Sequence, residues 1–586
     1  MVKKLQHLFS LLLIFSLLSC IFVLNACGSG DSDKASSDVP GKMTTVAGNP
    51  GGPPPGAPPP GGPGSPGGPP GGFPFNVGAP DKAAIYIENG IEKSSNEYSA
   101  GKYNSSLKYD ANGITIRNLD LINGDYTFNG IVATGAKTEV TLDNCRIKLG
   151  VDKAVTVDAR GGCATAVDEG ATMRINNSEL HVDGAGRYVT SNYNDGRLII
   201  NDSAITSTGS NENTTKISEP FSNAPLLING TARANFSVGA SKTYYFNSIC
   251  TVEGWGALST DAAKKPEGLD LYAYNSSAVA LHGGYGTYAD FDCRVWLYGS
   301  TLRSPEVGAI ISMDGKVYVA DGSMAPEVVA RYNLGKTTTA GTNITAGRNA
   351  VMIHAPDMMG RGKASAACAS LDVINSTLAT TRDLKSARDY TATYGGAIGA
   401  YVDFISGTAI LVKSTSANIN LDNASIDSYS NTIAMTVINS DRMGNFLKEG
   451  DAESKEIKPV SISMKNMTVT GDIKHLDYQR FMTLSLDNSI LNGTVVSGTM
   501  EDWNNRWSSY KKADCNWLVD DSWNSFYGVR MTVKKGSTWN VTGESTLSSL
   551  TIEDGGLVKG KIQVDGKKIT PSPGQIYTGK IVVTPL

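Results

Sequence analysis

From Ile114 to about Ile552 the chain repeats one arrangement of apolar and polar positions: apolar, any, apolar, any, then Asn, Asp or Gly, two free positions, and a further apolar residue. Ile114, Ile116, Asn118 and Leu121 give the first copy; Val140, Leu142, Asn144 and Ile147 give the second. Met173, Ile175, Asn177 and Leu180 follow, then Leu198, Ile200, Asp202 and Ile205. Later copies are anchored at Asn275, Gly299, Asp321, Asn375, Asn423, Asn466 and Asn488. Two apolar residues two apart fit a strand with one buried face, and the anchor is a residue type that tolerates a left-handed turn. The next apolar residue begins a second short strand beyond the bend.

Anchors lie 22 apart (Gly299 to Asp321, Asn466 to Asn488), 26 apart (Asn118 to Asn144), or near twice the shorter value (Asn375 to Asn423, 48). This period predicts one turn of a parallel β-solenoid, with insertions leaving at corners. It is too short for a helical-pair repeat. A leucine-rich repeat would need several leucines per unit, whereas the inward positions mix Ile, Leu, Val, Met and Ala. Equivalent positions of a solenoid stack ~4.8 Å apart. Asn118, Asn144, Asn177, Asn275, Asn375, Asn423, Asn466 and Asn488 are therefore expected to form a structural ladder of side-chain hydrogen bonds along a buried corner. The expectation is an all-β chain with its solenoid over 76–565 and a closing strand or cap over 566–586.

These repeats resemble the right-handed parallel β-helix shared by pectin lyases, many surface adhesins and autotransporter passenger domains, over roughly residues 80–565. The stretch from Gly536 through Trp539, Val541, Leu547, Leu550 and Ile552 to Gly556 resembles the closing coils of such passengers. The resemblance implies a fold and not a particular reaction. Passengers of that kind continue into a membrane barrel, for which the residues up to Leu586 leave no room, so self-translocation is not expected.

Lys3 and Lys4 precede an apolar run from Leu8 to Leu24, followed by Asn25, Ala26 and Cys27. Residues 1–26 resemble a bacterial lipoprotein signal, which implies cleavage before Cys27, lipid on its thiol, and an exported protein held to a membrane. A retained transmembrane helix is the poorer reading, because the run is short and lacks a cationic stop on its far side. Residues 27–75 are rich in Gly and Pro, a composition that buries little and reaches on the order of 60–70 Å over the Pro/Gly tract. They read as a spacer, or simply as a tether.

A net charge of −4 gives no electrostatic footprint for nucleic acid. Beyond Cys20 and Cys27 the cysteines form no CxxC or Cys/His group, so no metal site is indicated. Cys145 and Cys163 are the only pair separated by less than about one turn and are the candidate disulfide. A polygalacturonase of this architecture would show Asn-Thr-Asp, Asp-Asp and Gly-His-Gly motifs. Here Asp520 and Asp521 stand alone, and His282 is followed but not preceded by glycine. A lyase would need a base beside a uronate carboxylate, with calcium to acidify the proton. The best set is Asp290, Asp292 and Arg294, which strand alternation would place on one face, where they hold a cation or sugar acid or pair with one another. Tyr285 and Tyr288 beside Asp290 are echoed by Tyr394 and Tyr401 beside Asp403, a combination suited to stacking on sugars or to an internal aromatic stack. The Trp-rich stretch 498–530 is either a cap or a binding surface. The sequence thus points to a lipid-anchored adhesion or binding protein for glycans or surface partners, with no cofactor. The alternatives are a polysaccharide lyase or glycoside hydrolase, calcium entering only for the lyase, and a structural stalk. No feature sets an oligomeric state.

Overall fold

Buried and less buried positions alternate along many strands, Val460, Ile462 and Met464 being buried while Ser461, Ser463 and Lys465 are not, whereas strands such as Val307–Ser312 and Asn349–His354 are buried throughout. The computed structural model describes residues 82–586 apart from 94–105, 111–112, 151–160, 185, 210–231, 265, 333–334, 355–366, 387–395, 439–448, 451–454, 456 and 511–522. The signal, Cys27, the linker and Tyr394 lie outside the described residues. Each coil gives one short strand to each of three sheets. Tyr285–Ala289, Cys293–Tyr298 and Thr301–Ser304 form one coil, and Val307–Ser312, Lys316–Ala320 and Asn343–Ala346 the next. Corresponding strands pair in parallel, with Tyr285 opposite Val307, Arg294 opposite Lys316 and Thr301 opposite Asn343. Among the described residues the first sheet has 14 strands and the third has 10, the third being continued by a separate sheet of 4. The chain is a parallel β-solenoid.

Register makes one column of side chains per inward position. Ile116, Leu142, Ile175, Ile200, Tyr245, Ala273, Leu297 and Val319 follow one another up the second sheet. Tyr245 fills the interior beside the small Ala273, and its hydroxyl meets Thr190 at 3.1 Å, so the one large polar-tipped residue of the column is both packed and hydrogen-bonded.

Between the second and third sheets the anchors sit in the left-handed region, with φ of 55° at Asn118 and Asn144, 48° at Asn177, 47° at Asn275 and 50° at Asn423. Asn tolerates that region better than other residues bearing a Cβ, which explains its recurrence. Side-chain amide hydrogen bonds run from Asn144 to Asn118 (2.7 Å), Asn423 to Asn375 (2.8 Å) and Asn488 to Asn466 (3.0 Å). Asn275 bonds instead to Asn247 and Asn466 to Asp422, each at 2.8 Å. The ladder differs from expectation in place: all eight predicted asparagines are exposed, so it runs along a solvent edge. What is buried is the following residue. Ser178, Ser203, Ser248, Ser276, Ser300, Thr342 and Ser376 stack there, each hydroxyl accepting a backbone N–H from the coil before; Ser276 accepts from Ser248 at 3.2 Å. Most of these serines donate to the carbonyl two residues back, as Ser276 does to Tyr274 (3.0 Å).

Cys145 and Cys163 are free, which corrects the expected bridge. Cys145 belongs to the interior column, whereas Cys163 packs with Tyr86, Val132 and Ala166 in a separate cluster outside it, so the two thiols occupy different sides of the coil wall. Burial pushes the Cys163 thiol up to about 11.

The carboxyl end is closed by antiparallel strands: Gln575–Thr584 pairs with both Ser545–Ile552 and Lys561–Val564. The described parts of the Trp-rich stretch, 498–510 and 523–530, lie elsewhere. Its helix Met500–Trp507, opened by a capping box between Thr499 and Asp502, places Trp503 and Trp507 in a cluster with Tyr401, Met352, Leu411 and Met435, beside the outer side of the first sheet. On the outside of the second sheet Tyr244, Tyr272, Trp296 and Tyr318 form a pillar with ring centroids 5.1, 5.8 and 5.5 Å apart.

Candidate functional site

Asp290, Asp292 and Arg294 do not share a face. The strand Tyr285–Ala289 ends before Asp290, Phe291 and Asp292 turn through φ of 36° and 64°, and the next strand starts at Cys293, so strand alternation does not apply across the three. Asp290 is buried, accepting Ala262 N–H at 2.8 Å, and burial together with the neighbouring Asp261 charge pushes its carboxyl well above the usual range. Asp292 N–H donates to Asp314 at 3.0 Å. Arg294 forks onto Asp270 at 2.6 and 3.0 Å, and Asp270 also accepts Trp296 Nε1–H and pairs with Lys242. Burial opposes ionisation of Asp270, but these donors outweigh it and hold its carboxyl below the usual range. The three are structural groups of two different neighbourhoods, and the lyase geometry expected of them is absent.

The tyrosines divide in the same way. Tyr285 is buried, its hydroxyl 2.8 Å from Ser259 and its ring packed between Trp255 and Tyr288 at 6.2 and 5.7 Å. Tyr288 reaches Asp290 at 3.4 Å. Tyr401 is fully buried, with its ring 5.9 Å from Trp507. The rings of the outer pillar are consumed by one another: Tyr244 and Tyr272 are 4° from parallel, and Tyr272 and Trp296 9°. Those stacked faces have no room for a sugar.

Asp403 is the predicted residue that reaches an open cleft. The helix Gly396–Ile405 buries Tyr401, Val402 and Ile405 in the cluster that contains Leu411 and Met435, which leaves Asp403 exposed. Asn349 fixes the end of this helix by donating to the carbonyls of Ile405 and Thr408 at 2.9 and 3.0 Å, and Gly407 at φ 83° ends it. A second wall is the corner 428–432, where Thr432 N–H donates to Ser428 Oγ (3.0 Å) and Tyr429 N–H to Thr380 Oγ1 (3.3 Å). Arg382 enters from a loop tied down through Thr381 N–H to Ala346 (2.9 Å) and Ser386 to the buried Glu306 (2.7 Å). Its guanidinium lies 4.9 Å from the Tyr429 ring centre. Lys474 donates from Nζ to Thr432 Oγ1 at 3.0 Å.

These groups, with Phe404, Ser406, Ser430 and Met435, line a cleft of about 410 Å³. That is the scale of a small-ligand site. Burial raises the Tyr429 phenol, which therefore stays a neutral donor. The lining holds hydroxyls, two cations and one carboxylate. Among the described residues no three His, Cys, Asp or Glu side chains gather as a metal-ion set. Sequence reasoning found Asp403 and missed Arg382, Tyr429, Thr432 and Lys474, because they come from three separated stretches and carry no common spacing. Neither protein-family models nor curated proteins match this chain.

Proposed function

We propose that the protein is a lipid-anchored, right-handed parallel β-helix that binds saccharides at a bacterial cell surface. The cleft between the helix Gly396–Ile405 and the corner 428–432 carries this reading. A sugar presents many hydroxyls, and Ser406, Ser430, Thr432, Tyr429 and Asp403 offer a matching set of donors and acceptors within about 410 Å³. The signal-like residues 1–26, Cys27 and the Gly/Pro stretch 27–75 support attachment by a lipid and display away from the membrane.

A glycan array probed with the full-length protein tests the reading. A restricted set of glycans should be retained, and Ser430→Trp, which fills the cleft, should abolish retention without shifting the unfolding midpoint. Retention unaffected by Ser430→Trp removes the site, and no retained glycan removes the function. Depolymerised product from any of the polysaccharides would replace the binder by an enzyme. Cys27→Ala should move the protein from membrane to soluble fractions or leave an unprocessed precursor; unchanged partition with unchanged amino-terminal mass would overturn the anchor.

A further inference from the structure

Several cations on the outside of this solenoid are matched by aspartates of adjacent coils. Arg233 pairs with Asp261 at 2.5 Å, Arg294 and Lys242 share Asp270, Arg117 meets Asp143 at 3.3 Å and Arg146 meets Asp120 at 2.7 Å. Arg382 and Lys474 are not matched in this way, as Arg174 over Tyr332 and Arg530 over Phe481 are not, but Arg382 and Lys474 share one cleft. Among the described residues neither forms an ion pair: Arg382 lies over Tyr429, and Lys474 holds only the neutral Thr432 hydroxyl. Both line the cleft, and Lys474 is half-buried. Arg382 is exposed, whereas Lys474 is partly desolvated without a counter-charge, which favours a ligand that supplies one. Asp403, the single acid of the lining, leaves the cleft net positive in a chain of net charge −4.

We infer that the ligand of this cleft is anionic, its carboxylate, sulfate or phosphate ester held between Arg382 and Lys474. The inference rests on the saccharide reading for the rest of the ligand but not for its charge. The Arg382 guanidinium sits 4.9 Å from the Tyr429 ring centre, a contact that uses none of its N–H donors, which suits a forked bond to a planar or tetrahedral oxyanion. The Lys474 ammonium retains two donors beyond the one given to Thr432 and acts as a point charge on the other side. The hydroxyls of Ser430 and Thr432 complete the polar lining, while Asp403 repels a second negative group and so limits how the ligand enters.

Titration calorimetry of the full-length protein in detergent would compare glucose with glucuronate, glucose 6-sulfate and glucose 6-phosphate, and these with inorganic phosphate and sulfate. At least one acidic hexose should bind about tenfold or more tightly than glucose. That margin should vanish in the Arg382→Gln, Lys474→Gln double variant, persist in Arg382→Lys, widen in Asp403→Asn, and shrink as salt is raised. Ser430→Trp should remove the heat altogether. Glucose binding as tightly as the acidic hexoses, or a margin that survives the double variant, overturns the charge inference while leaving the saccharide reading intact. Inorganic anions binding as tightly as the acidic hexoses, with the margin lost in the double variant, upholds the anion site and removes the sugar. No binding by any probe overturns both.

Discussion

At several corners between the second and third sheets, such as 275–276 and 375–376, two consecutive residues have distinct tasks. The exposed Asn supplies a left-handed backbone, and the buried Ser supplies a hydrogen bond between coils. Ser276→Ala should lower stability by roughly 1–3 kcal/mol, since it leaves the buried Ser248 N–H without a partner. Asn423→Gly, which keeps φ near 50° and loses only an exposed side-chain hydrogen bond, should cost no more than about 1 kcal/mol. Urea midpoints decide: equal losses would mean that the asparagine ladder holds the coils together. The serine was visible in the sequence at 178, 203, 248, 276, 300, 376 and 489, each directly after an anchor. A polar residue between strands reads as turn, and only the stacking of coils turns it inward. His475 gives a second test. It is buried, with Nδ1 accepting from Thr436 (2.7 Å) and Nε2 donating to the Arg480 carbonyl (2.8 Å), and burial lowers its pKa to about 4. The unfolded chain, with an ordinary imidazole near 6.5, takes up the proton first as pH falls. Stability from this group is complete above about 6.5 and is lost between 6.5 and about 4, by roughly 3 kcal/mol. Buried Asp290 works in the opposite direction, so the His475→Gln variant isolates the effect: its stability should fall less between pH 7 and 4.5 than that of the parent, and an unchanged slope would refute the assignment.

Strands were the legible elements, because a period-two pattern with an anchor at fixed offset leaves few alternatives. Asn247 escaped notice, since Thr243 and Tyr245 stand where its coil should carry two aliphatics. The helix Gly396–Ile405 was not legible at all. Gly396 and Gly399 weaken intrinsic helicity, and Tyr401 with Asp403 looked like a copy of the strand at Tyr288 and Asp290. Burial of Tyr401, Val402 and Ile405 against the outer sheet face, together with the clamp from Asn349, overrides that propensity. The supposed alternation of Asp290, Asp292 and Arg294 failed for the converse reason: two left-handed residues interrupt what reads as a continuous strand. The cleft was therefore legible only at Asp403. Its other walls meet through coil stacking, which brings Thr432 opposite Asp472, just before Lys474, across a gap that no local pattern bridges.

Along the whole solenoid each coil leans chiefly on its neighbours, so the last one needs cover on its free side. Removing residues 566–586 takes Gln575–Thr584 away from Ser545–Ile552 and leaves that strand edge open. The shortened protein should unfold at lower urea and associate as its concentration rises, measured by light scattering; a monomer with an unchanged midpoint would mean that these strands are not a cap. The parallel pairing has a mechanical consequence as well. Coils are joined to one another by hydrogen bonds aligned with the stacking direction, whereas around a coil the backbone itself is continuous. Tension between the two ends loads those bonds lengthwise and peels coils one after another, a 22-residue coil such as that between Asn466 and Asn488 freeing about 75 Å of chain. The molecule is in that sense a spool, yielding length in steps under load while the coils not yet reached keep their shape.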